Sequence, residues 1–507
     1  MKAKRILSLL LALVMVFALL AVVGCGEEDP KNTKGSGIDN TAEAEDANSK
    51  YDAEVKDLKG HTFYFLSRTT THKHLDTNEV YAEELNGDKI NDAVFKRNTT
   101  LEQTYNCHIQ ETRETDVLAA VKEPLIAGEY CYDFIYAGST NLRNLAGSNL
   151  LVDLNTLENL HLEKTWYDQN LRKGLTIAQK LFYINGDAGT MDDRSTWIMF
   201  FNRDFVEKFK LENPYDLVAK GEWTVDKMYE MSEAMVQDKD GDNVMTIGKD
   251  VFAYLGEDNN NWYHVAACDC RLSSFTENGD VYIPATVNDD VLDAWAKLKP
   301  LLTSPNRDVS DSGSRFRKNL AGFYGINCGA LLNFEETTIN FGVIPFPKKN
   351  VEQTEYWTSI SAGWCSCYAI PVVADGNEEA AAAGFASGRE MAAYFLEAFS
   401  YYSVDTLTPA FYDQVLKRQM IRDTESSEML DLALKNKVYD PVVLYNFGSI
   451  GSIFKSCGSN GSGGTGGTPN AVGTDVNYDN LVSTYEARLD AARKALNNYL
   501  NYIDQEA

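Results

Sequence analysis

The chain has 507 residues, 44% of them apolar, with 27 Tyr and 23 Phe. That is more than one small domain needs and enough apolar material for two or three cores. Its formal charge of −27 argues against nucleic acid and anionic lipid surfaces as partners, because an acidic surface repels both.

The chain opens on Lys2, Lys4 and Arg5, followed by an almost wholly apolar run over 6–23. A basic start, an apolar middle and small residues before a cut site are the parts of an export signal, not of a fold. The run reaches the length of a membrane span, but small residues ending in a cysteine argue for cleavage. Val22-Val23-Gly24-Cys25 resembles the lipobox of bacterial lipoproteins, in which the cysteine is lipidated and becomes the first mature residue. The resemblance implies a signal peptide over 1–24, acyl chains such as palmitate on Cys25, and a protein anchored through lipid at the extracellular face of the cell membrane. Residues 25–50 are polar and acidic and read as a flexible tether.

Folding is expected to start near residue 51. A buried strand is predicted over 62–66, a helix over 89–105, an extended stretch over 107–112, a second helix over 116–129 and a strand over 133–137. Strands alternating with helices imply a mostly parallel sheet with right-handed crossovers. Ligands of such sheets sit beyond the carboxyl ends of the strands, which makes Arg68 and Ser139 candidates. The run 150–154 closes that unit, and further strands are expected over 181–184 and 197–202. A helix over 225–236 would be capped by Thr224 or Asp226.

Several segments follow one order: Asp133-Phe134-Ile135-Tyr136, 150–154, Leu181-Phe182-Tyr183-Ile184, Phe201-Asn202-Arg203-Asp204-Phe205 and Glu222-Trp223-Thr224-Val225-Asp226. That order resembles the extracellular solute-binding lipoproteins of bacterial ABC importers, of the carbohydrate or family 1-like type. The later stretches 316–332, Gly342-Val343-Ile344-Pro345-Phe346-Pro347 and Ala392-Ala393-Tyr394-Phe395-Leu396 agree with it. Each motif alone is loose, and the joint order over roughly residues 60–450 carries the resemblance.

The resemblance implies an α/β, two-lobe periplasmic-binding-protein-like (type II) fold with a hinge and an interlobe cleft. Lobe one would hold 51–154 plus 357–402, and lobe two 155–356 plus 403–507. It also implies a monomeric receptor, not an enzyme, that captures a small-molecule solute, a sugar or oligosaccharide, and delivers it to an ABC permease. A surface glycan-binding or glycoside-hydrolysing lipoprotein is the alternative, as is the same receptor fold for a peptide or another solute.

Sugar rings pack their C–H faces on aromatic planes while fixed polar groups hold their hydroxyls. Trp197, Trp262, Tyr263, Trp357 and Trp364 lie near predicted strand ends or loops and are the aromatic candidates. Asp192 and Arg194, on the loop before Trp197, offer charged hydrogen bonds. Adjacent acids such as Asp192/Asp193 and Glu335/Glu336 do not flank one bond when they lie on a strand, since neighbours point to opposite faces. No G-x-S-x-G, H-E-x-x-H or Walker pattern occurs.

Asp238, Asp240 and Asp242 resemble positions 1, 3 and 5 of an EF-hand-type calcium loop, with Asn243 at the sixth position and the Val244 carbonyl at the seventh. The closing position is Lys249, and Asp250 comes one residue late. The loop therefore reads either as a structural calcium site lacking its usual closing ligand or as a solvated acidic turn; no other cofactor is expected. Eight cysteines beyond Cys25 read as buried free thiols rather than a zinc site, because C-x2-C spacing is absent. The run 461–468 satisfies G-x-G-x-x-G, but no strand precedes it and low complexity explains it. A last amphipathic helix over 484–503 would start on a Ser483–Glu486 capping box.

Overall fold

The computed structural model describes residues 48–503 except 73–74, 77, 257–260, 310–312, 335–336, 374–375, 413–420, 422 and 455–479. The signal segment, Cys25, most of the expected tether, Cys457, the Glu335/Glu336 pair and the 461–468 run fall outside the described residues.

Eleven strands position the site: β1 His61–Arg68, β2 Cys107–Glu114, β3 Phe134–Gly138, β4 Trp197–Asn202, β5 Phe252–Leu255, β6 Arg307–Asp308, β7 Ala321–Asn327, β8 Phe341–Ile344, β9 Thr358–Ser359, β10 Ser366–Ala369 and β11 Lys437–Val438. The helices that matter here are α1 Lys89–Tyr105, α2 Val117–Ile126, α3 Ser139–Ala146, α4 Met191–Arg194, α5 Val225–Ala234, α6 Asn261–Ala267, α7 Gly388–Val404, α8 Thr424–Lys435, α9 Pro441–Tyr445 and α10 Leu481–Ile503.

A four-stranded sheet runs in the order β10-β3-β1-β2. Its β1 pairs in parallel with β2 and β3, and β10 is antiparallel to β3. Phe63 and Phe65 of β1 bury one face, with Phe63 stacked 4.0 Å from Phe395 of α7 and Phe65 stacked 4.5 Å from Phe134. Burying each such ring is worth about 1.5–3 kcal/mol. Helix α1 starts where Asp88 accepts hydrogen bonds from the Ile90 and Asn91 backbones and stops at Asn106, which takes the left-handed conformation at φ 49°.

A five-stranded sheet runs β8-β4-β7-β5-β6. All six residues of β4 are buried. Alternation explains how: Met199 and Phe201 face a cluster with Trp223 and Met228, while Ile198 and Phe200 face one with Phe316 and Phe334. Helix α5 begins at Thr224, whose hydroxyl accepts from the Lys227 backbone at 3.4 Å.

The chain after 403 divides between the two sheets. Ser426 of α8 holds β8 through the Val343 backbone at 2.9 Å. Helices α9 and α10 pack beside the four-stranded sheet. Arg143 of α3 donates to the Leu444 carbonyl at 2.7 Å, and the Tyr499 ring lies 5.2 Å from Tyr445.

Two local expectations change. The stretch 181–184 forms no strand; only Ile184 pairs, in a single bridge to Tyr368, because Leu181 instead gives its carbonyl to the Leu154 backbone. Ser483 caps nothing. Helix α10 already starts at Leu481, and the Ser483 hydroxyl donates to the Asn480 carbonyl at 3.1 Å from within the first turn. The expected stripe is buried at Tyr485, Ala492, Leu496 and Tyr499. Among the described residues no helix is long and apolar enough to cross a membrane.

Candidate functional site

One short segment collects the aromatic and polar candidates. Between β8 and β10 the chain leaves the five-stranded sheet and enters the four-stranded one through residues 356–365. Its β9 pairs in parallel with β11, and the Thr358 hydroxyl donates to the Trp197 carbonyl. The Ser361 backbone donates to the Ser195 carbonyl at 2.9 Å. The segment is therefore clamped on both sides, and its side chains have fixed directions.

On the side of the five-stranded sheet, Trp197 Nε1 donates to Ser361 Oγ at 2.7 Å and Trp262 Nε1 donates to Ser359 Oγ at 3.1 Å. Tyr263 of α6 stacks on Trp197 at 4.0 Å, with its hydroxyl 3.4 Å from Ser361 Oγ. Trp197 and Trp262 are buried supports, while Tyr263 keeps an accessible edge.

On the other side, Ser139 Oγ donates to the Ala362 carbonyl at 2.5 Å and Arg68 Nη1 to the Gly363 carbonyl at 2.7 Å. The Arg68 guanidinium lies 4.4 Å above the Trp364 ring, and His72 meets that ring edge-on at 5.5 Å. Gly138 permits this approach, since a Cβ there would sit 2.5 Å from the Gly363 oxygen. Arg68, Ser139, Trp197, Trp262, Tyr263 and Trp364 thus meet on residues 359–364. Trp364 and Arg68 are half-buried and Gly363 is exposed, so this surface is open to a solute.

Trp357 stands apart, half-buried with its ring 5.6 Å from the Arg271 guanidinium. Asp192 and Arg194 are buried and taken up by protein partners. Arg194 Nε donates to Thr190 Oγ1 at 2.8 Å and lies 3.9 Å from Glu79, which also accepts from the Tyr136 hydroxyl at 2.6 Å.

Asp192 belongs to a cluster around Lys437 of β11, whose Nζ lies 2.6 Å from Asp192, 3.0 Å from Asp193 and 2.9 Å from Asp168. Burial alone would depress the Lys437 pKa, but Asp168 and the other two carboxylates hold it well above its ordinary value. Three carboxylates share one ammonium, and burial pushes Asp192 up to about 8. Burial also pushes the nearby Asp187 up to about 6, against the Thr408 hydroxyl that donates to it at 2.6 Å. A cavity of about 220 Å³ opens beside this cluster.

The acidic loop is a separate feature. Carboxylate oxygens of Asp238, Asp240 and Asp250 lie within 4.8 Å of one another. Asp250 is buried and held by the Lys239 and Thr246 backbones at 2.8 and 2.7 Å. Asp242 instead accepts from the Val244 backbone at 2.8 Å, and the Val244 carbonyl accepts from the Thr246 hydroxyl at 3.3 Å. Asn243 takes the left-handed conformation at φ 63°. The backbone N–H of Asn243, donating to Asp238, holds that carboxyl below its ordinary range. Three converging oxygens suit a hard cation such as calcium. Elsewhere, the seven cysteines among the described residues are free thiols, all buried except Cys131.

Sequence reasoning missed Ser361, Gly363 and Lys437. The alternating Thr358-Ser359-Ile360-Ser361 run was the only signal for the first; Lys437 had none.

No family model matches the sequence, and no curated protein matches it. Solved structures do match. The sugar-binding protein MalE from Xanthomonas citri aligns over 88% of this chain and 100% of its own, at 14% identity and a TM-score of 0.55. A sugar transporter protein from Rhizobium etli, in an open conformation, aligns over 85% and 99% at 13% identity and a TM-score of 0.54. The chain has the two-lobe α/β fold of periplasmic-binding-protein-like sugar-binding proteins. An uncharacterized protein from Listeria monocytogenes EGD-e shares the fold, over 87% and 99% at 11% identity and a TM-score of 0.51. In this two-lobe fold the two sheets belong to different lobes, and residues 356–365 are a passage between them.

Proposed function

We propose that this chain is an extracellular solute receptor that captures a sugar or oligosaccharide and hands it to an ABC permease, with Cys25 as its lipid anchor. One observation carries the reading. Residues 359–364 present half-buried Trp364 and Arg68 from the side of one sheet and Tyr263 from the side of the other, on a passage between the lobes. A solute touching both sides is held only when the lobes approach, so it stabilises the closed form by population shift. Hydrolysis is disfavoured, since Asp192 and Asp193 are both committed to Lys437. We also propose a structural calcium on Asp238, Asp240 and Asp250.

A thermal-shift screen of mono- and oligosaccharides tests the receptor reading. A bound sugar at a hundred times its Kd adds about 2.7 kcal/mol of stability, and Trp364→Ala removes most of that shift. A shift from peptides with none from sugars would overturn the carbohydrate choice. Turnover of a glycan, abolished by a single carboxylate substitution, would overturn the receptor itself. In cells, Cys25→Ser moves the protein from the membrane fraction to the medium if Cys25 carries the anchor.

A further inference from the structure

Among the described residues, one cation of the candidate site has no carboxylate paired with it. Arg68 ends β1 and lies over Trp364 on the half-open side of the site. A guanidinium has five N–H donors. The Gly363 carbonyl takes one at 2.7 Å, and among the described residues no carboxylate pairs with the rest. The chain carries −27 overall; Arg97, also without a carboxylate, differs in giving its donors to Asn98, Ser403 and the Glu79 and Val80 carbonyls.

Neighbouring carboxylates are already engaged. Asp76, the one nearest in charge to Arg68, pairs with Arg113 at 2.7 Å and accepts from the Thr69 hydroxyl at 3.1 Å. Glu111, across the sheet, accepts from the Ser67 hydroxyl, and burial pushes it up to about 7. Glu79 is buried against Tyr136, Thr190 and Arg194. Burial lowers the Arg68 pKa, as expected for a desolvated cation whose charge is not fully answered.

A guanidinium can donate to neutral sugar hydroxyls, but a carboxylate answers its charge as well. It accepts two N–H bonds from one guanidinium edge in a bidentate pair, while the sugar ring packs beside the indole. We propose that the solute is an acidic sugar of the uronate class, and that Arg68 is the residue that selects it over its neutral counterpart. This rests on the receptor reading above. The surrounding negative charge opposes an anionic solute, so the preference comes from its contact with Arg68.

The test compares binding by calorimetry of a trigalacturonate, a triglucuronate and a trimannuronate with the matching neutral trisaccharides. The expected result is at least one uronate bound about tenfold or more tighter than its neutral match, with a preference that shrinks as salt rises. Arg68→Gln collapses the preference toward one, and Arg68→Lys retains part of it. The melting temperature of the unliganded variants reports whether Gly363 and Trp364 have stayed in place. If the wild-type protein binds neutral trisaccharides as tightly as the uronates, the acidic-sugar inference fails while the receptor reading stands. If Arg68→Gln weakens both kinds equally, the inference also fails. Absence of binding by every saccharide, with the folded state intact, overturns both.

Discussion

Lys437 gathers Asp168, Asp192 and Asp193 within 3.0 Å, with Asp193 alone partly exposed. Two of those acids follow α4's first residue, one precedes Gln169, and the lysine lies on β11, so one ammonium ties together stretches about 245 residues apart in the chain. Removing a partner from a buried ion cluster leaves charge uncompensated, which typically costs about 3–5 kcal/mol. Lys437→Met should therefore lose about 3 kcal/mol in urea unfolding at pH 7. The sign of its pH dependence follows from the same charges. Without the ammonium, burial and mutual repulsion raise the folded-state pKa of Asp168 and Asp192 above their unfolded values. Protons then bind more tightly in the fold, so the variant regains stability as pH falls and loses it as pH rises. A deficit that is the same at pH 5 and pH 7 would show that the lysine acts through packing alone. No residue-level pattern pointed to Lys437, because its partners come from distant sequence and a lone lysine next to Asn436 looks like any surface cation.

At the scale of elements, local physics was readable wherever it decided the outcome. The helix over 89–105 has its capping Asp88 and its terminating Asn106 in the sequence itself, and its bounds were legible to the residue. The strand over 197–202 was legible for the same reason, as a short apolar run with two covered faces. The acidic loop shows where reading stopped. Its twelfth position is Lys249, which pairs with Asp240 at 3.5 Å instead of closing the loop. A turn in which the Lys249 and Asp250 backbones both donate to the Thr246 carbonyl rotates Asp250 inward. The late acid thus joins Asp238 and Asp240, while Asp242 is held by its own turn. Spacing counts cannot register that one-residue turn. If calcium binds here, adding it should raise the melting temperature and a chelator should lower it. Asp250→Asn should abolish the response while Asp242→Asn leaves most of it. A response that Asp242→Asn removes and Asp250→Asn spares would assign the cation to the other carboxylates.

Across the whole molecule, the passage at 356–365 is where sequence order becomes mechanism. The aromatic candidates could be named in advance because tryptophans near strand ends are few. Which of them meet could not, because Arg68, Ser139, Trp197, Tyr263 and Trp364 converge only through the pairing of β9 with β11 and of β10 with β3. On the proposed receptor reading, the same geometry ties capture to closure. A solute that touched only Trp364 and Arg68 would stabilise one lobe and leave the hinge unbiased. A solute that also reaches Tyr263 gains its second set of contacts only as the lobes approach. Small-angle scattering separates these cases. A sugar that raises the melting temperature should also reduce the radius of gyration of the wild-type protein. Tyr263→Ala should retain part of the stabilisation yet lose much of the compaction, because the solute then has one lobe to hold. If the sugar stabilises the protein with no change in its dimensions, the solute sits on one lobe, and delivery to a permease cannot rest on closure around residues 359–364.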